Sequence, residues 1–238
     1  MLDDQIRFEA FMHLPSRACV MAILLSLLFV STAFAQGTVP KFLLVDNYID
    51  GTISVFRVEP LTGQLRQVPG SPFTGGYAIQ GIALTPDNKF LYTAGSSLTA
   101  FTVNQQTGSP IQIATYPLAG GYAKVIITAN GKFAYSLGNG IYAFSIDSAT
   151  GTLTAVPGSP FDPKVSFGGA AADPTSQYFY AAALIPYGVR AYAIQENGAL
   201  FTLPGSPYYD PNGPIDAAVE PSLAGVRPAV PIAALSPQ

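Results

Sequence analysis

The sequence predicts an all-β protein, a β-propeller of about four four-stranded blades, on three observations. First, one pattern recurs four times, around Phe56, Phe101, Phe144 and Tyr192. Its period of roughly 40–50 residues is the usual length of a propeller blade. Second, each copy contains short apolar runs separated by turn residues, as antiparallel strands do. Third, the 238 residues include 23 Gly and 21 Pro, with 49% hydrophobic and only 11% charged residues, which excludes a disordered chain.

Each repeat divides into an inner, a second, a third and a fourth strand. In the second repeat these strands are predicted at 80–86, 90–95, 98–103 and 111–116. The third repeat follows the same pattern over 124–147 and the fourth begins it over 170–183. The turn between third and fourth strands ends in a glycine, which suits a left-handed backbone. These glycines are Gly63, Gly108, Gly151 and Gly198.

A Pro-Gly-Ser-Pro-aromatic segment closes three of the four repeats, at 69–73, 157–161 and 204–208. Proline ends strand pairing and protects a sheet edge. The segment is therefore predicted to lead from the outer edge of one blade to the inner strand of the next. Its aromatic residues are predicted to pack between blades, and the less favoured alternative is an exposed platform for sugars. They are Phe73, Phe161 and Tyr208.

The two ends of the repeat region leave ring closure open. Residues 42–47 form a second strand with no inner strand before it, and residues 214–221 form a lone inner strand. Either the last strand completes the first blade, or the repeats are a truncated arc of a larger ring. The predicted propeller domain covers 36–221, and the irregular tail at 222–238 contains three prolines and no aromatic residue.

Residues 1–35 are predicted to be a signal peptide. The uncharged apolar core at 18–30 is shorter than the ~20 residues of a membrane-spanning helix. Small residues at Ala33 and Ala35 predict cleavage before Gln36. An uncleaved anchor is the alternative. The protein is therefore predicted to be exported, periplasmic or extracellular, with no stable membrane span after cleavage.

Several classes of chemistry are excluded by composition. Cys19 and His13 are the only cysteine and histidine, so cleavage leaves no disulfide, thiol nucleophile or thiolate metal site, and no cofactor or metal is indicated. The formal net charge of −3 argues against nucleic acid as a partner.

Residues 1–11 carry more acidic than basic side chains, whereas the start of an export signal is normally positively charged. The charge of this segment therefore indicates Met12 as the true start.

Three motifs carry a family resemblance. They are the F-x-[VI]-x-x-x-T-G-x-L hairpin at 56–65 and 144–153, the V-P-G-S-P-F crossover at 68–73 and 156–161, and the A-L-T-P-D-N-K-F-L-Y turn at 83–92. Over roughly 40–221 the chain resembles the lactonase-type β-propeller family, which includes bacterial 6-phosphogluconolactonase-like proteins and YVTN-type repeat proteins. Members of that family typically have seven blades, whereas this chain has about four, so the resemblance leaves open that the repeats are a truncated arc of a seven-bladed ring. It also implies lactone hydrolysis in those members that are catalytic.

The candidate ligand site is the channel mouth, where each inner strand begins. The residues at these positions are Gln80, Lys124, Ser166 and Asp216. One interpretation is that they only solvate a wet channel. The other is a site for a small sugar or sugar phosphate, with Lys124 contacting an anion and Asp216 as the plausible base.

Three functions remain open from the sequence. The favoured one is a non-catalytic exported module that binds a small sugar or a protein or cell-surface partner, because no histidine follows the signal peptide. The second is a lactonase-like hydrolase acting on a sugar lactone, implied by the resemblance alone. The third is a truncated, inactive family member.

Overall fold

The computed structural model describes residues 41–118 and 124–220, which belong to one unit, Pro40–Gln238. The predicted signal peptide and the 222–238 tail lie outside the described residues. Every regular element in the described ranges is a strand, and all strand pairs are antiparallel. The described ranges contain no helix with the length and apolar character needed to cross a membrane.

The first two sheets each correspond to one repeat. The first contains β1 (Lys41–Asn47), β2 (Thr52–Val58), β3 (Leu65–Gln67) and β4 (Phe73–Thr74), with both β3 and β4 paired to β2. The second contains β5 (Gly81–Leu84), β6 (Phe90–Ala94), β7 (Ser97–Val103) and β8 (Pro110–Pro117), paired in sequence order. The four strands predicted in the second repeat are therefore all confirmed.

The third sheet joins the last two repeats. Its strands are β9 (Lys124–Ile127), β10 (Phe133–Ile146), β11 (Leu153–Ala155), β12 (Phe161–Ala172), β13 (Tyr178–Ile185), β14 (Tyr187–Ile194) and β15 (Leu200–Thr202). Strand β10 folds back on itself, because the Ile146 N–H donates to the Lys132 carbonyl at 2.8 Å. Strand β12 pairs first with β10 and then with β13, so it links the two repeats without a break.

The inner strands lie side by side, with β5 next to β9 and β9 next to β12. Apolar residues fill the space between successive repeats in three clusters, one for each neighbouring pair. Phe144, for example, is 7% exposed and packs between the second and third repeats, as predicted for a third-strand aromatic residue. Successive antiparallel sheets packed face to face around neighbouring inner strands form a β-propeller, which confirms the predicted fold class.

The hairpin glycines have a second role that local turn chemistry does not show. Gly151 has φ +71°, and a Cβ there would lie 2.3 Å from the Phe90 ring of the preceding repeat. Gly198 meets Phe133 in the same way at 2.5 Å. Two residues after Phe90, the buried Tyr92 hydroxyl donates to the Gly151 carbonyl at 2.8 Å. The glycine therefore forms a socket for an aromatic residue of the neighbouring blade.

The serine of the Pro-Gly-Ser-Pro segment ends the fourth strand. Its hydroxyl oxygen accepts a third-strand hydrogen bond in place of a backbone carbonyl of the fourth strand. Ser159 Oγ accepts from the buried Ala143 N–H at 2.9 Å. Ser71 and Ser206 accept from third-strand N–H groups in the same way, at 2.8 and 3.0 Å. The second repeat lacks this segment, and its fourth strand β8 runs for 8 residues where β11 has 3.

Two detailed expectations are wrong. Residues 214–220, part of the lone inner strand predicted at 214–221, are not a strand. Within the described ranges β1 pairs only with β2, so of the two alternatives for the ends of the repeat region, pairing of the last strand with the first blade is not observed there. Phe73 and Phe161 pack against the clusters between repeats as predicted, but Tyr208 stays 52% exposed. Its ring covers Gly205 of its own segment, and its hydroxyl donates to the Pro204 carbonyl at 3.3 Å.

Candidate functional site

Three of the four predicted site residues line one open pocket of about 370 Å³, which we call the channel-mouth pocket. They are Gln80, Lys124 and Asp216, and the pocket also contains Asp46. Ala170 of β12 contributes a small wall residue. The pocket therefore brings together side chains from all four repeats and from the segment after the last strand.

The ends of strands position the side chains of Asp46, Gln80 and Lys124. The Gln80 N–H donates to the Ala94 carbonyl at 2.8 Å, which extends the β5–β6 pairing by one residue. Lys124 is the first residue of β9 and lies opposite Leu137 in β10. Asp46 lies near the end of β1. Because neighbouring antiparallel sheets present the same ends of their strands, these side chains converge at one end of the inner strands.

Asp216 reaches the pocket because two glycines let its segment approach β12 closely. A Cβ at Gly169 would lie 1.8 Å from Asp216 Oδ1, and a Cβ at Gly168 would lie 2.4 Å from the Ile215 carbonyl oxygen. No larger residue fits either position without moving residues 215–216. A glycine pair inside an apolar strand is the sequence signal that marks such a close approach.

An ion pair dominates the pocket. Lys124 Nζ donates to Asp216 Oδ2, and the Ala217 N–H donates to Asp216 Oδ1 at 2.9 Å. Partial burial raises the pKa of the Asp216 carboxyl, but the hydrogen bond and charge of Lys124, with the Ala217 N–H, outweigh it and hold the pKa below its usual value. A carboxylate with a lowered pKa is a weaker general base near neutral pH.

Ser166 does not belong to the channel-mouth pocket. Its hydroxyl donates to Asn139 Oδ1 at 2.9 Å, at the irregularity where β12 passes from β10 to β13. The prediction placed Ser166 at the start of a separate inner strand, whereas β12 begins at Phe161 and is continuous. The position that faces the pocket is therefore four residues further along, at Ala170.

Sequence reasoning missed Asp46. It lies at the end of a second strand rather than at the start of an inner strand, and nothing in its local sequence separates it from an ordinary turn acid.

Among the residues that the structure describes, no three His, Cys, Asp or Glu side chains lie close enough together to hold a metal ion.

Several solved structures share this architecture. A 6-phosphogluconolactonase-like protein from Bacteroides fragilis superposes with a TM-score of 0.63 at 20% identity, over 74% of this chain and 53% of that one. A second such protein, from Bacteroides uniformis, gives 0.59 at 19% identity, over 71% and 52%. The periplasmic gluconolactonase of Pseudomonas aeruginosa gives 0.56 at 21% identity, over 71% and 52%.

The chain has the fold of the lactonase-type β-propellers. The resemblance predicted from the three motifs is therefore confirmed at the level of fold. The chain spans about half the length of the solved structures it resembles. No protein-family model matches the sequence, and no curated protein matches it.

Proposed function

We propose that this lactonase-type propeller is an exported, non-catalytic binding module that takes a small neutral sugar in the channel-mouth pocket. The observation that carries the proposal is the ion pair between Lys124 and Asp216 inside this pocket. The ion pair presents a charged hydrogen-bond donor beside a charged acceptor. Gln80 adds an amide group that can both donate and accept hydrogen bonds. Vicinal hydroxyl groups of a sugar can donate to the carboxylate and accept from the ammonium group at once.

The charge of the pocket favours a neutral ligand over a sugar phosphate. One lysine faces two aspartates, Asp46 and Asp216, which leaves an excess of one negative charge. The Lys124 ammonium group is also already paired, so a phosphate would have to displace the Asp216 carboxylate. Exposed aromatic rings at the same end of the sheets, Tyr48 and Tyr77, offer apolar surface for a sugar ring.

Hydrolysis is disfavoured by the available bases. The described ranges contain no histidine. Asp216 is engaged by Lys124 through Oδ2 and has a lowered pKa, so it is a weak candidate for activating water. The second candidate function, lactone hydrolysis, is favoured by the lactonase names of the proteins that share the fold. In that case Asp46 would be the base, because no side-chain hydrogen bond from the described residues engages it.

One pair of assays separates the two functions. Calorimetric titration should show binding of D-glucose or D-glucono-1,5-lactam, and 6-phosphogluconate should bind more weakly. Lys124→Ala and Asp216→Asn should each lower the affinity at least tenfold, about 1.4 kcal/mol, since each breaks the ion pair that contacts the ligand. The surface variants Lys89→Ala and Asp210→Asn are matched controls and should bind normally.

The same preparations decide the question of catalysis. A pH-stat assay with D-glucono-1,5-lactone and 6-phosphogluconolactone should give no rate above spontaneous hydrolysis. A clear rate that falls tenfold or more in Asp46→Asn or Asp216→Asn would replace the binding module with a hydrolase. Such a result would also place the active site in the channel-mouth pocket.

Export is the remaining part of the proposal. It is supported by the apolar core at 18–30 with Ala33 and Ala35, and by the periplasmic origin of one protein that shares the fold. Amino-terminal sequencing of the mature protein from a periplasmic fraction should begin at Gln36. Recovery of a chain that starts at Met1 or Met12 from the membrane fraction would contradict cleavage.

A further inference from the structure

One interface recurs three times between successive repeats of this chain. In each case an aromatic ring at the start of a second strand packs onto the hairpin glycine of the following repeat, where an added Cβ would lie 2.3–2.6 Å from the ring. All three glycines are buried. The pairs are Phe42 with Gly108, Phe90 with Gly151 and Phe133 with Gly198.

The first repeat presents the glycine of this interface without a ring. Gly63 has the same left-handed backbone, φ +69°, but it is exposed, and no atom of the described residues lies within 4 Å of a Cβ added there. Leu65 is 49% exposed, whereas the corresponding Leu153 and Leu200 are only 7% and 8% exposed. We call the apolar surface around Leu43, Gly63 and Leu65 the head face.

The fourth repeat presents the ring of this interface without a glycine. Tyr178 and Tyr180 of β13 hold the positions that Phe133 and Tyr135 hold in β10, and their ring centroids lie 6.5 Å apart. Phe179, between them, packs towards the third repeat. Because successive side chains of a strand point to opposite faces, both tyrosines point away from the third repeat. Both are only half-buried.

The polar group of this tyrosine pair also lacks its counterpart. The Tyr135 hydroxyl donates to the hairpin-glycine carbonyl of the following repeat at 2.9 Å, but the Tyr180 hydroxyl makes no hydrogen bond to a described residue. Tyr208 lies beside Tyr180 and is 52% exposed, whereas Phe161, its counterpart in the third repeat, packs against the following repeat. We call the surface formed by Tyr178, Tyr180 and Tyr208 the tail face.

The backbone at the two ends of the structure is complementary as well. Within the described ranges β1, a second strand, pairs only with β2, so its other edge is open. Ile215 and Asp216 follow the fourth sheet and lie against β12 at Gly168 and Gly169. They occupy the place beside β12 that the inner strand of a following repeat would have. One end therefore offers an inner segment and the other end offers an open second strand.

We propose that the tail face of one copy of this chain packs onto the head face of a second copy. Tyr178 of the first copy fills the open space at Gly63 of the second, and the Tyr180 hydroxyl donates to the carbonyl of that glycine. The segment around Asp216 lies next to the open edge of β1. Burial of exposed apolar surface and cover of an open sheet edge both favour this association.

The partner is a second copy because the contact continues an interface that the chain already makes between its own repeats. Each end face carries what the other lacks, a ring on the tail face and a glycine space on the head face. Since the two faces are different surfaces, the contact is head-to-tail. Such an assembly either closes into a ring or continues from copy to copy.

Sedimentation velocity over a concentration series tests the association. The unmodified protein should show an increasing fraction of a species with at least twice the mass of one chain. Leu65→Arg in the head face and Tyr178→Arg in the tail face should each leave only single chains, because each places an unpaired charge in the interface. Ile111→Arg is the matched control, because Ile111 is 62% exposed on the outer strand β8, outside both end faces.

Mixing the two variants separates head-to-tail contact from a symmetric one. Leu65→Arg keeps an intact tail face, and Tyr178→Arg keeps an intact head face. An equimolar mixture should therefore form a two-chain species that neither variant forms alone. A symmetric contact between like faces would instead persist in one of the two variants and gain nothing on mixing.

Thermal melting at concentrations below association checks that each variant is folded. At such concentrations the space at Gly63 is open, so a substitution there reports on the single chain. If Tyr178→Arg does not fold, Tyr208→Arg replaces it, because Tyr208 belongs to the same face and is more than half exposed.

Three results would overturn the proposal. A single-chain mass of the unmodified protein at every concentration would do so, and would favour cover of both faces by another part of the chain. Association that Leu65→Arg and Tyr178→Arg leave unchanged, or that Ile111→Arg disrupts equally, would contradict the assigned faces. A mixture that stays monomeric while the unmodified protein associates would contradict head-to-tail contact.

Discussion

Replacing Gly151 by alanine should destabilise the protein much more than the same change at Gly63. Both glycines end the same hairpin with nearly the same backbone, φ +71° and +69°. An alanine in this left-handed region costs roughly 1–2 kcal/mol at either position. At Gly151 the new methyl group would also lie 2.3 Å from the Phe90 ring, whereas at Gly63 no other atom lies within 4 Å. Overpacking a filled interface adds typically 1–3 kcal/mol, so Gly151→Ala should cost about 2–5 kcal/mol in all.

Urea unfolding of the chain from Gln36 onward measures this difference, with the m-value as a check that the unfolded state is unchanged. A double-mutant cycle with Phe90→Ala isolates the contact, because removing the ring should make Gly151→Ala cost no more than Gly63→Ala. Equal losses at the two glycines in the wild-type background would refute the reasoning. They would mean that the hairpin glycine serves only its own turn and does not hold two blades together.

Three further predictions follow from the same structure. Phe144→Ala should lower the free energy of unfolding by about 3–5 kcal/mol, because the ring is buried between repeats; a loss below about 1 kcal/mol would contradict its strand assignment. Ser159→Ala should cost about 1–3 kcal/mol in urea unfolding, because the buried Ala143 N–H loses its acceptor, and an unchanged midpoint would refute that role. Lys124→Ala should raise the pKa of Asp216 in an NMR titration. Because Lys124 helps to lower this pKa, the ion pair stabilises the folded protein at neutral pH, and this stabilisation is lost as the pH falls through the pKa of the Asp216 carboxyl. An identical titration curve for Asp216 in the variant would argue against the ion pair.

Local patterns were sufficient to predict the repeating framework. The predicted second strand at 42–47 is β1 (Lys41–Asn47), and the predicted fourth strand at 111–116 is β8 (Pro110–Pro117). Alternating apolar residues and turn glycines determine structure over only a few residues. Strands and turns can therefore be predicted from them without knowing which segments of the chain are in contact. The motifs for the hairpin and the crossover likewise predicted the lactonase-type fold, because these residues serve the scaffold itself.

The sites depended on segments that are far apart in the chain. Lys124 and Asp216 are separated by 92 positions, and they meet only because Gly168 and Gly169 let the last described segment lie against β12. Ser166 was misplaced because β12 is one continuous strand where the repeat pattern predicts a break.

By itself, the sequence determined the fold class, the repeat period and the positions of most strands, since hydrophobic periodicity and turn chemistry are local properties. Only the tertiary structure decided that Asp46 joins the channel-mouth pocket. It also showed that each hairpin glycine from Gly108 onward receives an aromatic ring from the preceding repeat. The physical reason is that pockets and sockets form between blades, where the neighbours of a side chain are set by packing and not by chain order.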